Sequence, residues 1–346
     1  MLAALPSDDL DLILSLTPGF WQRFAGARLF LTGGTGFIGR WLVQSVQHAN
    51  DRLDAGIELA VLTRSADRAR QQSPRSFARA DTRLIEGDVA EKLPAIGGFD
   101  LCIHAATDVG DSLQPAAPVQ VFDTIVGGTR RVLDASIAAG AQRFLLASSG
   151  AVYGPQPATL DRVPESAVTA PRLDPQSAYG NGKRAAEWLA NAYTAQAAST
   201  GLSACSARIF ALVGPGLPLN AGFAAGNFIR DVLAGQAVNI QGDGRALRSY
   251  LYMADLSVWL LRMLESGAPG TAYNAGSRHA VSIAELAHAV VDAAGVDVPV
   301  RVALAPDHTT PAARYVPDTQ RAHDELGLDE YTPLAIALKK TIAWNR

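Results

Sequence analysis

Apolar residues along the chain fall into short runs that alternate with amphipathic stretches. The run Leu29–Leu31 ends in glycines, and Phe37–Ala49 follows with Ile38, Leu42, Val43 and Val46 at helical spacing. The mostly apolar run Ile57–Thr63 predicts a buried strand. Further strands are predicted over Arg83–Val89, Asp100–Thr107, Arg143–Ser149 and Ser203–Phe210, and helices over Val119–Ala139 and the Ala-rich Tyr179–Ser199. Strands that alternate with helices predict an α/β fold with a parallel sheet covered on both faces. Beyond Gly214-Pro-Gly-Leu-Pro218 the texture changes. Helices are expected at Phe228–Leu233, Leu256–Leu264 and Ile283–Ala294, a short strand at Ala237–Gln241, and two short helices after Thr310. This predicts a smaller C-terminal α/β lobe. The division expected is an N-terminal helical extension at 1–26, a sheet domain at 27–212 and a lobe at 213–346. The boundary is soft, with segments free to interleave.

Composition narrows the class. The chain has 346 residues, 48% hydrophobic and 18% charged, with a net charge of −3 and no basic tract. That is ordinary for a soluble enzyme and argues against bulk nucleic-acid binding. Cys102 and Cys205 form no CxxC, and the histidines lack ligand spacing, so no disulfide framework or metal site is expected. No basic-then-apolar leader and no run of about 18 apolar residues is present, so a cytoplasmic protein without a membrane span is expected.

Candidate chemistry begins at Thr32-Gly-Gly-Thr-Gly-Phe-Ile-Gly39. Gly33, Gly36 and Gly39 follow a strand and open a helix, the order of a dinucleotide-binding turn in a Rossmann-type, doubly wound sheet. Gly33 would allow the turn, Gly36 would admit a pyrophosphate, and Gly39 would let the helix pack closely. The helix start would supply N–H groups and a positive dipole end. The second strand ends Thr63-Arg64-Ser65, with no acidic residue for a ribose 2′-hydroxyl. An arginine there suits a 2′-phosphate, so Arg64 favours NADP over NAD. Asp88 is placed to accept from an adenine amino group. Tyr179 and Lys183, four apart on a helix, lie on one face. An ammonium there is expected to lower the phenol pKa by ~1–3 units and make a proton-transfer pair. Ser148-Ser149 ends a strand, where side chains reach the ligand crevice of such sheets. No Gly-x-Ser-x-Gly elbow occurs, which speaks against a serine hydrolase.

The glycine turn, His104-Ala-Ala106, Ser148-Ser149 with Val152-Tyr-Gly154, and Tyr179 with Lys183 together resemble the extended short-chain dehydrogenase/reductases. More narrowly, they resemble the nucleotide-sugar NAD(P)-dependent epimerase/dehydratase family, over about residues 27–330. Asn227-Phe-Ile-Arg-Asp resembles a helix whose first Asn contacts the nucleotide-sugar, and Gly242 to Asp255 a segment whose Arg248 holds its diphosphate. The resemblance implies that Ser149, Tyr179 and Lys183 are catalytic, Ser149 rather than Ser148 because it stands four before Tyr153. It implies a pyrophosphate loop of Gly33, Gly36, Phe37, Ile38 and Gly39. Adenine contacts at Asp88 and Val89 follow, with a strand end beside the cofactor at Ala105, Ala106 and Thr107. It also implies cofactor contacts from Tyr179 and Lys183, and substrate contacts from Ser149, Asn227, Arg248 and Arg314.

The departures narrow the reaction. Family 4,6-dehydratases carry Asp-Glu directly after the catalytic Ser/Thr, and decarboxylases usually keep the Glu; here stand Gly150 and Ala151. Ala211 replaces an Asn found in many relatives. The expectation is hydride transfer at sugar C4, with 4-epimerase and 4-ketoreductase nearly level and 4,6-dehydratase third. A reductase of lipophilic ketones has no use for Arg248. A non-catalytic NADP-binding regulatory protein has no use for an intact Ser149, Tyr179 and Lys183. The partner expected is a nucleotide-diphosphate sugar, and helices 119–139 and 179–199 are candidates for a homodimer interface.

Overall fold

A computed structural model describes residues 3–107 and 117–346. Among the described residues the main sheet has seven strands. We label six of them β1 (Arg28–Thr32), β2 (Glu58–Thr63), β3 (Thr82–Glu86), β4 (Leu101–His104), β5 (Arg143–Ser149) and β6 (Ser203–Ile209). Their order is β3-β2-β1-β4-β5-β6, with Ala272–Ala275 added beyond β6. The pairs β2–β3, β1–β2, β1–β4 and β4–β5 are parallel. The order reverses between β1 and β4, the switch point at which doubly wound sheets open a crevice for ligands. The fold is thus the expected Rossmann-type α/β.

Both faces of these strands are apolar because both are covered. Phe30, Ala60, Leu62, Cys102, Phe144 and Leu146 share one core with Ile125, Val132 and Leu133 of the helix Pro118–Ala139. Ala186, Leu189 and Ala190 of the helix Ala178–Ala195 join the same core. Alternation sends Leu29, Leu31, Leu59, Val61, Ile103 and Leu145 to the other face, where they are equally buried.

Several boundaries differ from expectation. The first long helix runs Phe37–Leu53, four residues further, and stops where Asp54 turns left-handed. The expected helix 179–199 breaks at Gln196 into Ala178–Ala195 and Ala197–Thr200. β3 stops at Glu86, leaving Asp88 and Val89 in a loop.

The chain packs as two units. The first comprises Met1–Val152, Pro171–Arg208 and Ser257–Tyr273, and the second Tyr153–Ala170, Ile209–Leu256 and Asn274–Arg346. The segments interleave because the sheet recruits a late strand: the Ser206 amide donates to Thr271 O, 65 residues on in sequence. The N-terminal helix Ser7–Leu16 lies in the first unit, where His48 meets Asp11 at 2.7 Å. In the second unit, Leu247–Arg248 sits between Val281–Ser282 and Arg314–Tyr315. Buried Asp255 fastens the tail there, accepting from the Tyr331 and Thr332 amides and the Thr332 hydroxyl at 2.8–2.9 Å.

Candidate active site

The glycine turn is built by backbone proximity. Gly33 has φ +74°, and a Cβ there would lie 2.7 Å from the Ala105 carbonyl carbon and 2.8 Å from the Ala106 nitrogen. The turn therefore abuts the end of β4. A Cβ on Gly39 would lie 2.1 Å from Gly33 O, so this glycine lets the helix start against the turn itself. Gly36 is different: a Cβ would meet only Gly33 O, at 3.3 Å. It is the N-cap of Phe37–Leu53 and caps the helix with no side chain, leaving the first N–H groups of Phe37, Ile38 and Gly39 for a ligand. A dinucleotide pyrophosphate fits this donor set.

Under the turn lies a contact that sequence reading missed. Thr32 and His104 are register partners on β1 and β4. Thr32 Oγ1 meets His104 Nδ1 at 2.7 Å and accepts from the Ala106 amide at 3.1 Å. Burial, with Lys183 nearby, holds the His104 pKa at about 3, so the ring is neutral. Strand residues 72 apart in sequence carry no local signal of such a pair.

Around the turn, Arg64 is exposed at the end of β2, and Ser65 caps the following helix. Asp88 accepts from the Ala90 amide at 2.9 Å, closing a tight loop. Val89 is buried beside Gly128, and its carbonyl accepts from Arg131 at 2.9 Å.

The second cluster joins the end of β5 to the helix Ala178–Ala195. Ser149 accepts from the Ala151 amide at 3.1 Å and is a polar neighbour that acts to lower the Tyr179 pKa. Ser148, facing the opposite way, donates to Glu187 at 2.5 Å. Lys183 is buried and donates to Ala147 O at 2.7 Å and Thr107 Oγ1 at 2.8 Å. Its ammonium lies 5.9 Å from the centre of the Tyr179 ring. Gly180 permits the approach, since a Cβ there would lie 2.6 Å from Ala151 O.

The electrostatics correct one expectation. Burial raises the Tyr179 pKa, Ser149 opposes the rise, and Lys183 does not lower it. Burial also lowers Lys183, to about 8, with Glu187 acting in the opposite sense. Desolvation thus outweighs the ammonium's pull on the phenol in the protein alone. The resting phenol is an acid at neutral pH, with Ser149 as a polar neighbour.

In the second unit, Asn227 is not the first residue of its helix, which runs Ala224–Leu233; its side chain accepts from Arg230 at 3.2 Å. Arg248 donates to Leu247 O at 2.8 Å. Arg314 pairs with Asp161 at 2.7 Å. Arg248 stands opposite Tyr315, and Arg314 opposite Leu247. One residue out of step, the two arginines leave opposite faces of the ribbon and do not form one fork. Among the described residues no cluster suited to a metal ion occurs, and no helix is long and apolar enough to cross a membrane.

A family model for the NAD dependent epimerase/dehydratase family matches residues 29–276, which span the glycine turn, β4, β5 and the Tyr179 helix. The chain belongs to this family. Among its relatives, UDP-glucuronic acid decarboxylase 6 of Arabidopsis thaliana is 31% identical over 301 residues, 87% of this chain and 83% of that protein. The solved dTDP-glucose 4,6-dehydratase DesIV of Streptomyces venezuelae, with NAD bound, is 26% identical at a TM-score of 0.77, covering 92% of this chain and 97% of that one. MoeE5 in complex with UDP-glucose and NAD is 27% identical at a TM-score of 0.75, covering 92% and 98%. This chain is accordingly an NAD(P)-dependent enzyme of the epimerase/dehydratase family.

Proposed function

We propose that the enzyme oxidises and reduces C4 of a nucleotide-diphosphate hexose, with Tyr179 as acid and base. The observation that carries this reading is buried Lys183, which donates to Ala147 O at the end of β5, two residues before Ser149, and lies 5.9 Å from the centre of the Tyr179 ring. A bound nicotinamide dinucleotide would supply the hydride acceptor and donor. Gly33, Gly36, Phe37, Ile38 and Gly39 would hold its pyrophosphate, Asp88 and Val89 its adenine, and Ala105, Ala106, Thr107 and Lys183 its other end. Ser149 would steady the substrate O4 while Tyr179 takes or returns the O4 proton. Asn227 and Arg248 would hold the nucleotide diphosphate. Arg314 could join them only by leaving Asp161.

The family's several outcomes then diverge. Elimination of water needs an acid for the leaving hydroxyl, and Gly150-Ala151 offers none. Glu187, one turn beyond Lys183, is fully engaged by Arg208 and Ser148. This favours 4-epimerisation over dehydration, and Ala151 in place of the Glu that decarboxylases usually keep speaks against the decarboxylation named in the relatives. Net 4-keto reduction is the second reading, because exposed Arg64 at the end of β2 suits the 2′-phosphate of NADPH.

The test is a panel of UDP-glucose, UDP-glucuronic acid, dTDP-glucose and a nucleotide-linked 4-keto hexose, with products resolved by NMR and nicotinamide followed by absorbance. A C4 epimer with no net change in nicotinamide supports the first reading, and stoichiometric NADPH oxidation by a 4-keto sugar supports the second. Loss of CO2 or water as the main event would overturn both. Tyr179→Phe should lower turnover by ~10²–10⁴-fold with NAD(P)H binding nearly intact.

We also propose that the enzyme pairs with a second copy through the helices Pro118–Ala139 and Ala178–Ala195. Val119 and Trp188 on their outer side are 72% and 68% exposed.

A further inference from the structure

Two consecutive residues at the end of β5 are each hydrogen-bonded to one side chain of the helix Ala178–Ala195. Ala147 O accepts from Lys183 and the Ser148 hydroxyl donates to Glu187, while Ser149, next along the strand, is a polar neighbour of Tyr179. Tyr179, Lys183 and Glu187 stand four apart, one stripe of the helix. The strand and the helix are therefore fastened at two points. The Lys183 contact belongs to the candidate chemistry, and the Glu187 contact has no part in it.

The Glu187 contact is the one fixed from outside. Arg208 on β6 grips the Glu187 carboxylate from Nε at 3.1 Å to both oxygens and from Nη2 at 2.8 Å. Glu187, Ser148 and Lys183 are all at least nine-tenths buried. A forked guanidinium leaves the carboxylate one geometry, and burial removes water as a competing partner. Ser148 and Ser149 belong to one rigid strand, so fixing the Ser148 hydroxyl also fixes where Ser149 points.

We propose that Glu187, held by Arg208, is a positioning residue that sets the register of Tyr179 and Lys183 against Ser149 through Ser148. The inference rests on Tyr179 acting as acid and base. A buried ion pair that merely stabilised the fold would need no serine on its inner side. It would affect melting without touching the proton-transfer geometry. Misplacement by a fraction of an ångström at the reacting pair costs rate much more than it costs binding.

The test uses the full chain with NAD(P)+ and whichever of UDP-glucose, UDP-glucuronic acid and dTDP-glucose turns over fastest. Ser148→Ala removes one hydroxyl and leaves the ion pair. It should slow hydride transfer about 10–100-fold. KM and the Kd for NAD(P)H should stay within about twofold, with a melting shift of a few degrees at most. Ser148→Thr, which keeps the hydroxyl, should recover most of the rate. In a Tyr179→Phe background, Ser148→Ala should add little, because the two changes disable one device. An unchanged rate in Ser148→Ala beside an inactive Tyr179→Phe overturns the positioning role alone. So do equal losses of rate and cofactor affinity. A wild-type rate in Tyr179→Phe instead overturns the reading on which the proposal rests. Glu187→Gln gives a second route: a lower melting temperature with an unchanged rate constant overturns the proposal as well.

Discussion

Lys183 illustrates what a buried charge costs and what it does. Its ammonium keeps two protein acceptors, Ala147 O and Thr107 Oγ1, yet burial brings its pKa to about 8. The sign of the resulting pH dependence follows from linkage. Below pH ~8 the lysine is charged both folded and unfolded, and the burial penalty is fully present. Between about 8 and the ordinary lysine value near 10.4, the folded protein sheds a proton that the unfolded chain keeps, so stability rises with pH. The cofactor-free Lys183→Met variant should therefore gain most over wild type below pH 8, and lose that advantage as pH climbs to 10. Melting temperatures of both proteins across this range check it, and a difference independent of pH would show that Lys183 keeps its ordinary pKa. The positions of Ser149, Tyr179 and Lys183 were legible in sequence because each rests on short spacing or on the end of a strand. The direction of the Tyr179 shift was not, because desolvation depends on everything packed around the ring. Glu187 carried a faint signal, four residues after Lys183, but its partner Arg208 comes from another strand.

At the scale of elements, the glycine turn separates two functions that one motif merges. Gly39 is architectural, since its Cβ would strike Gly33 O at 2.1 Å and Gly34 Cα at 2.5 Å, backbone against backbone. Gly36 has ordinary dihedrals, φ −80° and ψ −178°, and a Cβ there needs Gly33 O to give only slightly. Gly39→Ala should then destabilise the protein by about 1–3 kcal/mol, as overpacking does, and weaken NAD(P)H along with it. Gly36→Ala should leave melting within a few degrees but cost NAD(P)H affinity tenfold or more, because the methyl stands where phosphate must approach. Thermal melts paired with fluorescence titration of NAD(P)H decide the matter; equal melting losses in the two variants would remove the distinction. Strand and helix identities in this half were readable from period alone, as the runs at 29–31 and 57–63 illustrate. Helix ends were not: Phe37–Leu53 continues through the polar residues Asn50, Asp51 and Arg52, where apolar periodicity has stopped. Asn50 supplies a reason, bonding the Ile57 backbone on both its donor and acceptor sides at 2.9 Å, a tertiary tie.

For the whole molecule, local pattern could not say which late segments rejoin the sheet unit. The edge strand Ala272–Ala275 pairs with β6 across some sixty residues of chain, a choice made by tertiary packing. The same reasoning bears on assembly. The helices Pro118–Ala139 and Ala178–Ala195 bury Ile125, Val132, Leu133, Ala186 and Ala190 toward the sheet, so the sheet already accounts for their inner faces. It does not account for the outer side, where Val119 and Trp188 are joined by Leu173, 99% exposed, with Phe122 partly covered. Trp188, Leu173 and Phe122 line one shallow groove. Large apolar side chains gathered on one face are the usual mark of an association surface, and tryptophan is prominent among residues that dominate such contacts. A two-fold pairing of this face with itself would bury Trp188 twice, once from each copy. Trp188→Glu should then weaken self-association by at least ~2 kcal/mol, with the monomer's melting little changed because the side chain takes no part in the core. Sedimentation velocity over a concentration series reads this directly. A wild-type enzyme that stays monomeric at tens of micromolar, or a Trp188→Glu variant that pairs as well as wild type, would assign the patch to something other than a second copy.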